Sequence, residues 1–534
     1  MIRNPILPGF HPDPSICRVG ETFYIATSTF EWYPGVRIYA SEDMANWRFV
    51  AAPLNRAKLL DMRGNPDSCG IWAPCLSHDG DRFWLVYTDV KRLDGAYKDT
   101  HNYITACETI DGTWCDPWYV NSSGFDPSLF HDDDGRKWFV NMRWNHRGEG
   151  TGGNPKHASF DGILLQEWSP EKGLLGEAIN IFDGTERGLT EAPHLFRRGD
   201  FYYLTTAEGG TGYDHAVTLA RSREITGPYE VHPQKFVMSA AGASQHPVQR
   251  TGHGQYVEGP DGSHWHTYLM GRPIAGKDGK GRFCPLGRET GIARVVWQDD
   301  WLWLEDGGLL APLDVRSDAA IPAVGASHYR FDEGLPHDFQ WLRTPESGRI
   351  FRIEDGTLVL IGRESLGSWF EQALVARRQQ HFHYRAETTV DFAPASYQEA
   401  AGLTTYYNRH KYHALLVSHE LGVGRTLSIQ SCPGNWPDCA LEHPLQLPVE
   451  LDYGPVRLAV EVDHAVQRFY WAQGEMDWRP VGPELNAAVI SDEGGRGEHA
   501  SFTGAFVGMV AYDTSGMARE ARFSNFTYSP QGAE

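Results

Sequence analysis

The sequence predicts an all-β chain in two units, a five-bladed β-propeller over residues 1–318 and a β-sandwich over residues 328–531. Three observations carry this reading. The composition is rich in aromatic residues (18 Trp, 23 Tyr, 25 Phe) and turn formers (57 Gly, 32 Pro), and long helical periodicities are scarce, which favours many short strands. One strand–turn–strand unit recurs five times before residue 270. Finally, 534 residues are too many for one hydrophobic core, and the pattern changes after the small-residue tract Ser317–Ser327.

The five echoes follow one another in order. Asp13-Pro14-Ser15-Ile16 leads through Gly20 to Phe23-Tyr24-Ile25-Ala26, and Trp72-Ala73-Pro74-Cys75-Leu76 leads through Asp79-Gly80-Asp81 to Phe83-Trp84-Leu85-Val86. Asp126-Pro127-Ser128-Leu129 leads through Asp133-Asp134-Gly135 to Trp138-Phe139-Val140. Glu191-Ala192-Pro193-His194-Leu195 leads through Gly199-Asp200 to Phe201-Tyr202-Tyr203-Leu204. The weakest copy, His253-Gly254-Gln255-Tyr256, leads through Asp261-Gly262 to Trp265-His266-Thr267-Tyr268. Each is a hairpin signature, and consecutive hairpins at a spacing of about 60 residues read as propeller blades around a channel. Val36–Ser41 and Ala216–Ser222 read as outer strands, and the polar stretches 89–103 and 143–159 as rim loops where binding residues collect. In the second unit Thr357–Ile361, Arg457–Val462 and Ala505–Val510 alternate like sandwich strands.

Bulk charge narrows the function classes. A net charge of −21 argues against a polyanionic partner such as nucleic acid. The N-terminus lacks the apolar core of a signal peptide, and no run of 18 apolar residues suggests a membrane span. The eight cysteines show neither zinc-ribbon spacing nor a dense disulfide framework, so reduced thiols in a cytoplasm are expected.

Equivalent positions of successive blades converge on one end of the channel. Asp13, Asp126 and Glu191 therefore meet there, with Trp72 and His253 at the corresponding places in the second and fifth blades. The flanking prolines restrict Asp13 and are expected to hold it extended, aiming its side chain. Three carboxyls and an indole suit glycoside chemistry: one acid protonates the leaving oxygen, a carboxylate activates water or attacks carbon, and a neighbouring carboxylate raises the acid's pKa. Arg288 is a candidate guanidinium fork to sugar hydroxyls or a carboxylate. His253, between two glycines, reads as a satisfied core histidine or a ligand to a channel metal. Gly148-x-Gly150-x-x-Gly153 matches a dinucleotide pattern, but Pro155 follows it and helical periodicity does not, so it reads as a loop.

The segments Asn4–Ile16, Ile71-Trp72-Ala73-Pro74, Gly124–Phe130, Thr190–Leu195 and Leu286–Thr290 resemble the β-xylosidases of glycoside hydrolase family 43, in order and over the whole chain. The resemblance implies a concanavalin-like fold for the sandwich. It implies inverting release of D-xylose from the non-reducing ends of β-1,4-xylooligosaccharides, with side activity on α-L-arabinofuranosides common among relatives. It casts Asp13 as general base, Glu191 as general acid and Asp126 as the residue that tunes and orients the acid. Phe30, Trp72 and Arg288 resemble the sugar pocket's walls and hydroxyl grip, and Phe502, or failing it Phe506, the sandwich phenylalanine that closes the pocket. His253 resembles a channel histidine where some relatives bind calcium and others none; no cofactor is required. The usual glycine after the acid is Ala192 here. Relatives assemble as dimers or tetramers. A non-catalytic sugar-binding propeller is the alternative from another class, and the carboxyl trio speaks against it.

Overall fold

The computed structural model describes residues 1–147, 159–321, 325–434, 438–495 and 501–532; the Gly148–Gly153 motif lies outside them. Among the described residues up to 304, five antiparallel sheets form, each from strands that follow one another in the chain, save that the first skips Trp32–Tyr33. The opening hairpins of the blades pair Ser15–Val19 with Thr22–Thr27, Gly70–His78 with Phe83–Arg92, Ser128–His131 with Lys137–Trp144, Glu191–Arg198 with Phe201–Glu208, and Gln249–Gly252 plus Tyr256–Glu258 with His264–Gly271. The turn residues Gly20, Gly80, Gly135, Gly199 and Gly262 all have positive φ, the conformation that selects glycine there. The first strands of neighbouring blades pack against one another and line the channel. The ring is closed by the N-terminus, where Ile2–Arg3 pairs with Asp314–Val315 and the Asn4 amide bonds the Ile292 and Pro312 carbonyls.

One stretch differs from expectation. Residues 89–103 are mostly strand, the ends of Phe83–Arg92 and Asp99–Cys107, because the aromatic pattern continues through polar residues; only the tip between them is loop. Arg37–Ser41 and Ala216–Ser222 are third strands, each covered by a fourth, Arg48–Ala51 and Glu230–Ser239.

The second unit is a sandwich of two eight-stranded antiparallel sheets. Its apolar core lies between them and includes Leu358, Val375, Leu403, Leu458, Val507 and Phe523. One of those sheets borrows its edge strand from the propeller: Trp32–Tyr33 pairs with Trp341–Leu342 of the strand Phe339–Leu342. An edge strand left bare would be a pairing liability, and here the first blade covers it. Trp32 is fully buried and stacks on Phe506 of the sandwich at 3.7 Å, and Phe10 and Phe30 join the same apolar cluster. Among the described residues no helix is long and apolar enough to cross a membrane.

Removing the Trp32 ring would open a cavity in this shared cluster. Trp32→Ala is expected to cost about 3–5 kcal/mol, read as a lower midpoint in a reversible urea melt. A loss below about 0.5 kcal/mol, the usual effect of a surface change, would show the two units to be merely juxtaposed.

Candidate active site

The innermost strands carry the site through one backbone device. Asp13, Ala73, Asp126, Ala192 and His253, one per blade, all have positive φ, between 29° and 56°. In four of them a proline follows. Asp13, at φ 56°, is thus not held extended as the flanking prolines suggested; the ring of strands imposes a left-handed turn on a residue that would otherwise avoid it. This shared conformation also corrects the register. Ala73 and Ala192 are the equivalents of Asp13 and Asp126, and Trp72 and Glu191 stand one residue earlier. Ala192 sits at φ 53°, which explains why a glycine suits that position.

The side chains nevertheless converge. Asp13, Asp126, Glu191, His253, Arg288, Phe30, Trp72 and Phe502 all line one cavity of about 270 Å³, near the small end of ligand pockets. The three carboxyls are each less than a tenth exposed. Asp13 Oδ1 accepts from Arg288 Nη1 at 3.0 Å and Oδ2 accepts from the Ser28 hydroxyl at 2.6 Å. Burial pushes its pKa up, but Arg288, His253 and Ser28 outweigh that and hold Asp13 below the ordinary carboxylate value. Glu191 has no such partner: its Oε1 is buried without one. Burial, and then the negative charge of Asp13, push Glu191 up to about 8, against the weaker pull of Arg288. Asp126 is raised well above its ordinary value by burial, Glu191 and Asp13, although its carboxyl accepts the Ala192 amide. At neutral pH the cavity therefore sets an ionised Asp13 beside a protonated Glu191.

Arg288 does two things at once. Its second amino group, Nη2, donates to the Phe502 carbonyl at 2.9 Å, and its guanidinium lies over the Phe30 ring at 5.3 Å. The sandwich segment reaches it because Gly287 has no side chain: a Cβ there would stand 2.2 Å from the Thr503 carbonyl oxygen. Phe502 closes the pocket and meets the Trp72 edge at 6.1 Å, and its amide is held by Ser68 Oγ at 3.0 Å. Phe506, the alternative, is buried against Trp32 instead. Trp72 is fixed by its indole N–H on the Ser68 carbonyl, 2.8 Å. Phe30 is fixed by reciprocal backbone bonds with Ile71.

Sequence reasoning missed part of the wall. Phe125 meets Trp72 at 5.3 Å and Phe160 at 5.9 Å, and Trp144 meets Phe160 at 5.6 Å, forming an aromatic corner. Lys98 lies over the Trp144 ring at 4.4 Å. Phe125 directly precedes Asp126 and was legible on that ground; Lys98 and Trp144 fall in the stretches 89–103 and 143–159 read as rim loops where binding residues collect, and Phe160 stands just past the second, but the fold alone brings these three together.

The channel behind the carboxyls is lined by histidines without charge. His253 Nδ1 lies 3.5 Å from Asp13 Oδ1, and burial pulls its pKa down to about 4. His194, whose ring centre is 6.5 Å from that of His253, is lowered likewise by burial. Calcium prefers six to eight oxygen ligands. Here the one carboxylate beside His253 is already taken by Arg288 and Ser28, and no group of three His, Cys, Asp or Glu among the described residues could hold a metal ion. The donor set does not fit a protein-ligated calcium.

A small, largely aromatic pocket that pairs an ionised with a protonated carboxyl is the constellation of a glycoside hydrolase. Comparison with known proteins makes the assignment specific. Residues 2–302 match the model for glycosyl hydrolases family 43, and residues 328–529 match that for the β-xylosidase C-terminal concanavalin A-like domain. The chain belongs to glycoside hydrolase family 43, whose enzymes invert the anomeric centre. It is 55% identical to "Xylosidase/arabinosidase 43B" of Humicola insolens, over 99% of this chain and 98% of that protein. It is 45% identical to the "Beta-xylosidase" of Bacillus subtilis strain 168, over 99% of each. The crystal structure of a xylan beta-1,4-xylosidase from Bacillus halodurans C-125 superimposes with a TM-score of 0.93 at 45% identity, covering 99% of this chain and 100% of that one.

The split protonation sets a pH profile. If Glu191 is the acid, activity falls as pH rises through about 8, because the proton is lost; if Asp13 is the base, activity falls only in strong acid, as pH drops through its lowered pKa. The measurement is kcat/KM against pH on a natural disaccharide. An alkaline limb near the ordinary carboxylate range would contradict the assignment.

Proposed function

We propose that this enzyme is an exo-acting β-xylosidase, releasing D-xylose from the non-reducing ends of β-1,4-xylooligosaccharides. The observation that carries it is the pairing of ionised Asp13 with protonated Glu191 in one pocket, supported by the xylosidase relatives. Asp13 takes a proton from water as that water attacks the anomeric carbon. Glu191 delivers its proton to the glycosidic oxygen as the C–O bond breaks, leaving xylose of inverted configuration. Asp126 orients the acid: its carboxyl accepts the amide of Ala192, the residue bonded to Glu191. Trp72, Phe30 and Phe502 present rings to the sugar's apolar face, and Arg288 keeps the base ionised. Action on chain ends rather than chain interiors follows from the way Phe502 closes the pocket.

Activity on α-L-arabinofuranosides is a second reading, favoured by the name of the Humicola relative. Incubation with xylotriose is expected to yield xylose and xylobiose, with nitrophenyl β-xyloside turned over faster than nitrophenyl α-L-arabinofuranoside. The reverse order would make arabinose the principal product. Glu191→Gln is expected to lower kcat on xylobiose by roughly 10²–10⁴-fold and to spare aryl xylosides whose leaving groups need no proton. Equal losses on both substrates would remove Glu191 from the acid's role.

We further propose that hydrolysis needs no metal, since the unpartnered groups around His253 are imidazole nitrogens of His194, His215 and His266, whereas calcium prefers oxygen ligands; dialysis against EDTA is expected to leave kcat unchanged. The eight cysteines, whose spacing suits neither a zinc ribbon nor a dense disulfide framework, support work in a reducing cytoplasm. We also propose assembly as a dimer or tetramer, which sedimentation of the full chain tests.

A further inference from the structure

At the seam between propeller and sandwich lies a second cavity, of about 350 Å³, which the hydrolytic reaction does not use. Its walls bring four arginines together: Arg37 and Arg48 from the first blade, Arg377 and Arg378 from the sandwich strand Ala373–Arg378. One carboxylate, Asp338, faces them. In a chain of net charge −21 this concentration of cations is anomalous.

The arginines are bonded, but only to neutral acceptors. Arg378, 4% exposed, donates Nε to the Phe10 carbonyl and Nη1 to Gln340 Oε1, both at 2.5 Å, and its Nη2 is buried with no partner. Arg377 donates to the Tyr329 hydroxyl at 2.6 Å and to Gln380 Oε1, and its Nε is likewise orphaned. Arg37 donates to the Tyr39 hydroxyl and the His337 carbonyl, each at 2.8 Å. Three other buried arginines differ, Arg250, Arg288 and Arg343 each bonding a carboxylate within 3.0 Å, whereas the buried Arg425 bonds only backbone carbonyls and stands apart from any such cluster. Burial, and then the charge of Arg37, pull Arg378 down to about 9, and burial with the same arginines keeps His11 neutral. Buried cations without a counter-charge are costly, and guanidinium forks match the oxygens of phosphate and carboxylate.

We propose that this seam binds a small oxyanion, of the phosphate or carboxylate class, held by Arg37, Arg377 and Arg378 with Arg48 at its mouth. The bound anion adds to the single counter-charge of Asp338, which faces Arg37, Arg377 and Arg378, and ties the sandwich to the segment that leads into the site: Arg378 holds the Phe10 carbonyl, Phe10 packs on Phe30 at 5.7 Å, and Asp13 follows three residues on. It is therefore a stabilising ligand of the interface, not a substrate.

Isothermal titration and thermal melts of the full chain test this, with sodium phosphate and sodium malonate in separate arms and sodium chloride at matched ionic strength as control. A saturable heat and a saturable rise in melting temperature are expected with at least one oxyanion and not with chloride; the tighter arm identifies the class. Arg377→Gln is expected to weaken that affinity roughly 10–100-fold, the loss of a charge-assisted hydrogen bond. Arg48→Gln, on an exposed side chain, weakens it less and serves if the first variant does not fold. A response no greater than that of chloride, or an unchanged affinity in whichever variant folds, overturns the proposal.

Discussion

The ion pair between Arg288 and Asp13 is the contact on which the rest of the site depends. Its first consequence is electrostatic. A carboxyl as buried as Asp13 would by itself be neutral, and one guanidinium at 3.0 Å, helped by Ser28, reverses that. The charge so maintained then acts on its neighbours, since Asp13 is the leading charge that raises Glu191. For Glu191 the displacement from its ordinary value amounts to a preference for the neutral form on the order of 5 kcal/mol. Ionised and protonated carboxyls are thus made by the same pair: the residue that gains the arginine keeps its charge and the one that lacks it keeps its proton, as the proposed base and acid require.

Its second consequence is mechanical. The guanidinium that fixes Asp13 also holds the Phe502 carbonyl, so the charge state of the base and the closure of the pocket are coupled through one side chain. Buried polar groups of this kind are costly when half satisfied, and Arg288 Nε remains without a protein partner. The aromatic walls lower the local dielectric and strengthen each of these interactions. An apolar substitution at Phe125 or Trp72 would disturb the electrostatics as well as the fit.

Much of this was legible from residue patterns. The repeat of acid-proline and aromatic strand revealed the five blades, because each hairpin has its own local signature of glycine turn and alternating strand. Asp13, Asp126, Glu191, Trp72, Arg288 and Phe502 were each marked by a motif or by position before a strand. What stayed hidden depends on three-dimensional closure. The left-handed turn at Asp13 contradicts the local bias of a residue before proline, so tertiary packing decides it; that in turn displaced Trp72 and Glu191 by one residue from their assigned equivalents. Trp144, Phe160 and Lys98 are separated in sequence and carry no shared pattern. Arg378, in an ordinary-looking strand, shows its unusual surroundings only when the first blade packs over it.

A boundary drawn in the linker near residue 318 separates two patterns of sequence, but it does not separate two working parts. The sandwich takes its edge strand from Trp32–Tyr33, two residues beyond the pocket residue Phe30, and returns Phe502 to the pocket through the space that Gly287 leaves open. The exchange is bound by further charges: Arg343 of the sandwich donates to Asp67 at 2.9 Å and to the Asn65 carbonyl at 2.7 Å, next to the Ser68 that holds both Trp72 and Phe502. The sandwich therefore acts less as an accessory for binding polymer than as the fourth wall of a pocket that the propeller leaves open. A blade ring converges side chains on its channel but cannot itself cover the mouth; covering it from a separate unit, anchored by buried ion pairs, is what turns a cleft into a site for chain ends.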